Sequence, residues 1–390
     1  MKRELYDETH EDFRAAFRSF VAAQIVPHHD RWEAAGKVDK EMFLAAGEAG
    51  FLGMAVPEEY GGLGQNDFRF NAIIGEELQR AGVIGSGMCI TLHNDVMLPY
   101  LLDYTTPEQR ARWLPGTVTG EIMTAISMTE PEAGSDLAAI RATARREGDD
   151  WVVNGSKTFV TNGINADLVL VVVKTDPALR HRGISLIAVA DGTPGFARGR
   201  HLDKIGLRSQ DTAELFFDEC RVPADHLVGG EGEGFRILME NLAQERLGLC
   251  VSAISAARAA LRHTVDYCAQ RQAFGTRVLD FQNSRFRLAE LGAKLDATQV
   301  FVDHLIMLHD RGELSGEDAA KGKLLTTSLQ QEIVREGLQL HGGYGFMREY
   351  PIARMYLDAP IQSIFGGTNE IMREIVGRQL EASYGSGPGR

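Results

Sequence analysis

Glu245 is the residue whose position in the sequence best suits proton chemistry. Apolar residues recur at helical spacing after a glycine-rich segment, at Phe235, Leu238, Leu242 and Leu249. Glu245 fills the gap in this stripe, three residues after one leucine and four before the next, so we expect it on the inward side of a helix. Burial raises the pKa of a carboxylate, which suits a general base. A structural pair with a buried arginine such as Arg246 explains the position equally well.

Two polar segments in the middle of the chain could bind a polar, flat cofactor. Ile126–Asp136 reads ISMTEPEAGSD, and its hydroxyls and tight Ala-Gly turn could present hydroxyl and backbone N–H groups to such a molecule. A surface loop leading into a β domain would have a similar composition. Phe159–Gly163 reads FVTNG, in which an aromatic residue beside Thr and Asn could line a ring, although Asn-Gly also simply marks a turn.

Two later segments could bind phosphate. Arg271–Gly275 reads RQAFG, and an arginine can bind a phosphate with two hydrogen bonds. Alternatively, Arg271 only complements the dipole of the predicted helix at whose C-terminus it lies. Gln339–Gly345 reads QLHGGYG, and paired glycines allow close approach of a ligand or cap a helix. Neither segment is a dinucleotide fingerprint or a P-loop. His304 and His309 lack metal-ligand spacing, so we predict no metal site.

Charge and cysteine usage exclude several classes of protein. The formal charge over 390 residues is 41 − 54 = −13, which argues against general nucleic-acid binding and against adhesion to anionic membranes. The four cysteines are scattered and form no CxxC pair, so neither a disulfide framework nor a zinc site is expected. The N-terminus lacks an apolar signal core, and the longest apolar run, Leu168–Val173, is too short to span a bilayer. We expect a soluble, cytoplasmic protein.

The chain changes character twice. Residues 1–121 read as helical, 122–233 as short β-strands with turns, and 234–390 as helical again. Trp151–Val153 followed by Asn154-Gly155 predicts a hairpin. Further strands are predicted at Leu168–Val173, Ile184–Val189 and Leu215–Phe217. Long helices are predicted over 234–267, 281–311, 316–340 and 368–382, followed by a frayed tail at Gly385–Arg390.

Taken together, these segments resemble the acyl-CoA dehydrogenase family. ISMTEPEAGSD, FVTNG, RQAFG, QLHGGYG and IFGGTNEIM occur in the family's order and spacing, and PEEYGGLG at Pro57–Gly64 extends the resemblance over essentially the whole chain. The resemblance implies an α+β multi-domain fold: an N-terminal helical domain, a middle β-barrel and a C-terminal four-helix bundle. It also implies FAD as the cofactor.

The resemblance assigns binding roles residue by residue. The FAD contacts that it implies are at Ile126, Ser127, Met128, Thr129, Ser135, Phe159, Val160, Thr161, Arg271, Phe274, Gln282, Gln339, His341, Gly342, Gly343, Thr368, Asn369 and Glu370. The acyl-CoA contacts that it implies are at Ser135, Arg246, Gly366 and Gly367. In the family the C-terminal FAD contacts reach across a dimer interface, which implies a homo-oligomer, most simply a tetramer.

The position of the catalytic glutamate departs from the commoner family pattern. Many members carry it directly before the Gly-Thr of the last motif, but here that position is Gly366. Members resembling the long-chain and isovaleryl-CoA dehydrogenases place it earlier, in a QERL- or LERL-like helix, and this chain has QERL at Gln244–Leu247. The family comparison therefore selects Glu245, the residue that the apolar stripe selects.

The resemblance implies α,β-dehydrogenation of a fatty acyl-CoA thioester, as in β-oxidation, with electrons passed to an electron-transfer flavoprotein. One alternative is an enzyme of the same fold that uses oxygen, such as a flavin oxidase or monooxygenase. Another is a non-catalytic flavin-binding protein, which the glycine at position 366 would suggest and Glu245 argues against.

Overall fold

The structure is a computed structural model that describes residues 3–384 of the chain, so the predicted tail at 385–390 lies outside the described residues. The chain forms two compact units. The first unit contains the chain up to Ala16, Phe68–Ile84 and everything from Leu242 onward. The second unit contains Phe17–Asp67 and Gly85–Asn241. The N-terminal helices thus contribute to both units, whereas the sequence predicted consecutive domains.

The helical and β-rich segments are arranged in the predicted order. Before the sheet, the helices are α1 (Glu8–Phe20), α2 (His29–Ala35), α3 (Lys40–Glu48), α4 (Phe68–Ala81), α5 (Ile84–Thr91), α6 (Leu98–Asp103) and α7 (Pro107–Thr119). The main strands are β1 (Thr124–Ser127), β2 (Thr143–Glu147), β3 (Asp150–Thr161), β4 (Leu168–Lys174), β5 (Ile184–Ala190), β6 (Phe196–His201), β7 (Thr212–Pro223) and β8 (Leu227–Val228). A capping box starts α7, because the Thr106 hydroxyl accepts from Gln109 N–H while the Gln109 side chain accepts from Thr106 N–H.

The eight strands form one mixed sheet rather than the closed barrel expected from the sequence. Their order is β6-β7-β3-β2-β4-β5-β8, with β1 pairing parallel to β4. Among the described residues no pairing joins the end strands β6 and β8. Closure fails because β8 contains only Leu227 and Val228 and pairs with β5 alone. The three-part fold is confirmed, with an open sheet in its middle part.

Successive side chains along each strand point to opposite faces of this sheet, as expected of β-strands. On one face Val169, Val171 and Val173 pack with other strand residues. On the other, Leu168, Leu170 and Val172 pack against α6 and α7. Burial on both faces explains why β4 reads as a continuous apolar run.

The predicted hairpin at Asn154-Gly155 is wrong. Strand β3 runs straight through both residues, and the turn lies earlier, where Glu147 of β2 pairs with Asp150 of β3. Gly155 instead marks an irregularity in the β3–β7 pairing, and a Cβ there would lie 2.7 Å from the Ala142 backbone. The Asn154 side chain donates a hydrogen bond to the Glu219 carboxylate and accepts one from the Glu219 N–H of β7. These cross-strand contacts outweigh the preference of Asn-Gly for a turn.

Four long helices dominate the remainder of the chain, as predicted. They are α8 (Gly234–Gln270), α9 (Gln282–Asp310), α10 (Gly316–His341) and α12 (Asn369–Tyr384), with the shorter α11 (Pro351–Asp358) between the last two. The two-residue strands β9 (Gln272–Ala273) and β10 (Thr276–Arg277) form a small hairpin after α8. The core of the first unit lies among these helices, around Cys250, Ile254, Leu295, Leu305 and Val334.

Three further findings concern residues 3–384. No helix in this range is both long and apolar enough to cross a membrane. The same residues contain no cluster of histidine, cysteine and acidic side chains that could hold a metal ion. All four cysteines are free thiols and buried.

Candidate active site

Glu245 is buried, with 9 % of its surface exposed. The apolar stripe that predicted this burial is enclosed only in part. Leu238 is fully buried, but Leu242 and Leu249 on either side of Glu245 are half-buried, whereas Leu247 and Cys250 are fully enclosed in the helical core. Glu245 therefore lies at the margin between the core and a partly open side of the helix.

The partly open side of α8 faces a turn at Phe365–Thr368, here called the glycine turn. A Cβ placed on Gly366 would lie 2.5 Å from Leu249 Cδ1. Glu245 precedes Leu249 by one helical turn and so lies on the same side of the helix. The predicted base thus lies on the side of α8 that faces the predicted substrate turn, although Glu245 and Gly366 are 121 residues apart in the sequence.

Arg246 connects α8 to the glycine turn directly. Its side chain is 7 % exposed, and its Nε donates a 3.4 Å hydrogen bond to the Gly366 carbonyl oxygen. Burial lowers the pKa of Arg246, and the negative charge of Glu245 opposes that shift. Glu245 therefore lies beside the charged residue that a structural ion pair would need. It also lies on the side of the helix that faces the predicted substrate-binding turn, as a catalytic base would.

In the second unit, the structure brings the two predicted flavin-binding segments together. Thr158 N–H in β3 donates to the Thr129 carbonyl at 2.9 Å, and Asn162 Nδ2 donates to the Thr124 carbonyl at 3.1 Å. These bonds place β1 and the residues after it beside the end of β3. Ile126, Met128 and Thr129 are half-buried there, so their backbone lies at an accessible edge.

Phe159 lies in this edge in a strained conformation. Its φ is +57°, a left-handed value that phenylalanine rarely adopts, and its side chain is 68 % exposed. The β3–β7 register shifts between Lys157 and Val160, so a bulge turns the ring outward. Residues with such backbone strain cluster at active sites and ligand sites, so this exposed ring is a candidate contact for a flat ligand.

In the first unit, the predicted phosphate-binding residues are exposed. Arg271 follows the end of α8 and its guanidinium lies 5.7 Å from the centre of the Tyr344 ring. Within residues 3–384 Arg271 forms no ion pair. Gln282, Gln339 and Gly342 are exposed as well, and Phe274 is 99 % exposed.

Several predicted cofactor residues have inward-facing side chains. Ser127 Oγ donates to the Leu170 carbonyl at 3.4 Å, and Val160 packs in the sheet core. His341 Nδ1 lies 2.7 Å from the Gly337 carbonyl while its ring stacks on Tyr267 with centroids 4.1 Å apart. Asn369 Oδ1 accepts from Thr327 Oγ1 at 3.1 Å. Any cofactor contact from Ser127 and Val160 would therefore be made by their backbone.

Two lysines that are buried within residues 3–384 were not predicted from the sequence. Lys157 is 1 % exposed and pairs with Glu130, and Lys323 is 0 % exposed and bonds to the glycine turn. A signal for Lys323 did exist. It shares a helical stripe with the buried residues Ala319, Ala320, Thr327 and Gln330, which is the pattern that selected Glu245.

The described residues fit the binding of FAD in each unit taken separately. In the second unit, an exposed aromatic ring beside accessible backbone polar groups suits a flat heteroaromatic ring. In the first unit, an arginine without an ion-pair partner among residues 3–384 suits a phosphate. A Cβ on Gly342 or Gly343 would meet nothing within 4 Å, which leaves room for a ligand to approach the backbone.

Three family models match this chain along most of its length. The acyl-CoA dehydrogenase N-terminal domain matches residues 7–121, the middle domain 125–220 and the C-terminal domain 232–381.

Named relatives agree with the family models. The chain is 43 % identical over 380 residues to the mitochondrial long-chain specific acyl-CoA dehydrogenase of Mus musculus, covering 97 % of this chain and 88 % of that protein. An acyl-CoA dehydrogenase structure from Geobacillus kaustophilus is 48 % identical, with a TM-score of 0.94 over 97 % of this chain and 100 % of that one. Glutaryl-CoA dehydrogenase from Mycobacterium smegmatis in complex with FADH2 is 29 % identical, with a TM-score of 0.89 over 99 % and 97 %. Enzymes of this family depend on FAD. On the combined likeness in sequence and structure, the chain belongs to the acyl-CoA dehydrogenase family.

Proposed function

We propose that this enzyme introduces an α,β double bond into a fatty acyl-CoA thioester, with Glu245 as the base. The observation that carries the proposal is a buried carboxylate on the side of α8 that faces the glycine turn. Gly366 itself supplies no carboxylate, and Glu370, another predicted site residue that has one, is exposed and pairs with Arg373, so Glu245 takes that role.

The α-proton of a thioester is weakly acidic, and its removal needs both a close base and stabilisation of the developing negative charge on the thioester oxygen. Glu245 accepts the α-proton. Backbone N–H groups of the glycine turn, that of Gly366 in particular, face the thioester oxygen and stabilise its charge as an oxyanion hole does. Partial burial keeps water from Glu245. FAD, when bound, supplies the acceptor for the hydride that leaves the β-carbon.

We assign FAD to two groups of residues. Its ring system and the adjoining chain contact Ile126–Thr129, Ser135 and Phe159–Thr161. Its diphosphate and adenosine contact Arg271, Phe274, Gln282, Gln339 and His341–Gly343, while Thr368–Glu370 complete the site. Ser135, Arg246, Gly366 and Gly367 contact the acyl-CoA.

We infer that the enzyme is a homo-oligomer, most simply a tetramer, in which Arg271 and Phe274 serve the FAD of a neighbouring copy. Exposure of Phe274 to 99 % in the single chain supports this inference. We further propose that an electron-transfer flavoprotein reoxidises the enzyme. Resemblance to the long-chain relative supports a fatty acyl substrate.

The test is anaerobic mixing of purified Glu245→Gln enzyme with a panel of acyl-CoA thioesters of different chain length. FAD and acyl-CoA should still bind, because glutamine keeps the size of the side chain. Flavin bleaching should slow by at least ~10²-fold, as is typical when a general base is lost. Glu240→Gln is the matched control, because Glu240 lies on the same helix but half-exposed beside Arg236, and it should bleach at the wild-type rate.

Other outcomes would decide between the alternatives. If Glu245→Gln bleaches at the wild-type rate but melts at a lower temperature, Glu245 is a structural partner of Arg246. Oxygen consumption with acyl-CoA would identify an oxidase. A wild-type enzyme that binds FAD but is bleached by no acyl-CoA would identify a non-catalytic flavoprotein.

A further inference from the structure

Lys323 of α10 is a buried cation with a specific partner in the glycine turn. Its side chain is 0 % exposed, and its Nζ donates a 2.6 Å hydrogen bond to the Gly367 carbonyl oxygen. Burial, reinforced by the positive charge of Arg246, lowers the pKa of Lys323 to about 8. The nearby Cys250 thiol and Glu370 carboxylate oppose this shift. Keeping a lysine at a desolvated position is costly, so its contact with the turn calls for an explanation.

A second cation holds the preceding carbonyl of the same turn. Arg246 donates to Gly366 O while Lys323 donates to Gly367 O, so two consecutive carbonyl groups face two buried cations. The N–H and C=O of one peptide unit point in opposite directions. Fixing these two carbonyls therefore turns the N–H groups of Gly367 and Thr368 away from the cations.

The glycine turn needs such anchors. Gly366 and Gly367 have φ values of +63° and +88°, and glycine readily leaves this region because no side chain restricts it. Arg246 holds the peptide plane between Gly366 and Gly367, and Lys323 holds the next plane, between Gly367 and Thr368. Unless both planes are fixed, the backbone that follows Gly366 can rotate, and the direction of the Gly366 N–H varies with it. An N–H group whose direction varies stabilises the charge on the thioester oxygen poorly, because such stabilisation depends on donors that are already oriented before the reaction.

We propose that Lys323 is a positioning residue that locks the glycine turn with its N–H groups directed at the thioester oxygen of the substrate. The inference rests on the proposed function and deepens it, since it assigns the orientation of the N–H groups that stabilise the enolate-like oxygen to a side chain that does not touch the substrate. The two cations also place positive charge behind the turn, where negative charge develops during α-proton removal.

The test uses the FAD-loaded enzyme and the variants Lys323→Met and Lys323→Gln. Lys321→Met is the matched control, because Lys321 lies two residues away on the same helix, pairs with Asp318 and is 33 % exposed. Two quantities are measured: the anaerobic rate of flavin bleaching at saturating acyl-CoA, and the near-ultraviolet absorbance of a bound 3-oxoacyl-CoA. The second reports enolate formation without any redox step, because the α-carbon of that ligand is already acidic.

We expect Lys323→Met to slow bleaching by at least ~10-fold and to raise the apparent pKa of the bound 3-oxoacyl-CoA, with acyl-CoA affinity changed less than ~3-fold. Lys323→Gln keeps a donor without the charge and should fall between Lys323→Met and the wild type. Lys321→Met should match the wild type in both measurements.

The positioning role is overturned if folded Lys323→Met and Lys323→Gln match the wild type in bleaching and in enolate formation. It is also overturned if neither variant folds with bound FAD, since Lys323 would then serve the fold. If Lys323→Met alone fails to fold, Lys323→Gln decides on the same two measurements. A wild-type enzyme that no acyl-CoA bleaches would instead overturn the proposed function, whatever the variants show.

Discussion

At Gly366, backbone conformation and one neighbouring side chain determine whether a carboxylate can be placed there. The residue has a φ of +63°, and a Cβ would lie 2.5 Å from Leu249 Cδ1. A left-handed conformation costs a non-glycine residue roughly 1–2 kcal/mol. The terminal atoms of leucine can move, but the backbone conformation cannot change without disturbing the bonds from Arg246 and Lys323.

A carboxylate moved to this turn should therefore rescue the enzyme poorly, because the backbone strain opposes it. In a Glu245→Gln background, Gly366→Glu should leave flavin bleaching close to the rate of the single variant. Adding Leu249→Ala should change that rate less than about threefold, because it leaves the left-handed conformation in place. Anaerobic rapid mixing with acyl-CoA measures both. Full recovery in the double variant would show that the turn accepts a side chain without strain.

His93 is a buried residue whose protonation opposes folding. Its Nε2 lies 3.0 Å from the Thr117 carbonyl and its Nδ1 2.8 Å from Thr124 Oγ1, so the neutral ring donates to the carbonyl and accepts from the hydroxyl. Burial lowers the pKa of His93 from 6.5 to about 4. Between these values the unfolded chain binds a proton that the folded chain does not.

The free energy of unfolding should thus fall as the pH falls from about 6.5 toward 4, and His93 should contribute up to about 3 kcal/mol to that fall. His93→Gln keeps polar atoms but cannot titrate, so its unfolding free energy should decline less steeply over the same range. Chemical denaturation of both proteins at a series of pH values measures the two slopes. Equal slopes would mean that other groups cause the acid sensitivity.

Among the elements, strand β3 organises the proposed flavin-binding edge of the second unit. Lys157 Nζ donates to Glu130 at 2.8 Å and to the Met128 carbonyl at 3.1 Å. The Glu130 carboxylate also accepts from the N–H groups of Arg141 and Ala142. A buried ion pair with these bonds fixes the loop after β1 against β3 and the bulge that carries Phe159.

The two members of this pair should be strongly coupled. Glu130→Gln and Lys157→Met each leave a buried charge unpaired and should cost about 3–5 kcal/mol of unfolding free energy. The double variant should cost less than the sum of the two, because neither charge remains. Glu132→Gln, in an exposed pair with Arg141, should change stability by less than about 1 kcal/mol. Additive costs in a double-mutant cycle by chemical denaturation would contradict this coupling.

At the scale of the whole molecule, exposed apolar residues indicate surfaces that another copy of the chain could cover. In the first unit Phe274 is 99 % exposed and Phe346 81 %. Phe274 and Gly275 form the two-residue turn between β9 and β10, with φ values of +53° and +80°. Turns of this type favour Asn-Gly, so phenylalanine at the first position is unfavourable for the isolated hairpin.

Phe274→Asn should therefore leave the fold of one chain as stable or more stable, while weakening oligomerisation and FAD retention together. Arg271→Ala should weaken the same two properties through loss of the proposed phosphate contact. Light scattering measures the assembly and flavin fluorescence measures the released FAD. An oligomer that keeps its size and its FAD in both variants would remove these residues from the proposed interface, and a fully active monomer would refute the oligomer itself.

The sequence by itself determined the features that depend on neighbouring residues. Helical spacing placed Glu245 on a buried position and set the four long helices within a few residues, because the period of a helix is visible along the chain. The order of short motifs indicated the family. Local preference failed at Asn154-Gly155, where pairing of β3 with its neighbours outweighed the tendency of these residues to turn.

Only the tertiary structure decided which distant residues meet. Lys157 and Glu130 are 27 residues apart, and Lys323 lies 44 residues from Gly367, so no spacing rule connects either pair. The division of the N-terminal helices between two units and the failure of the sheet to close likewise depend on contacts between remote segments. Periodicity shows that a side chain is buried, whereas its partner, and hence the chemistry of a buried charge, depends on how the elements pack.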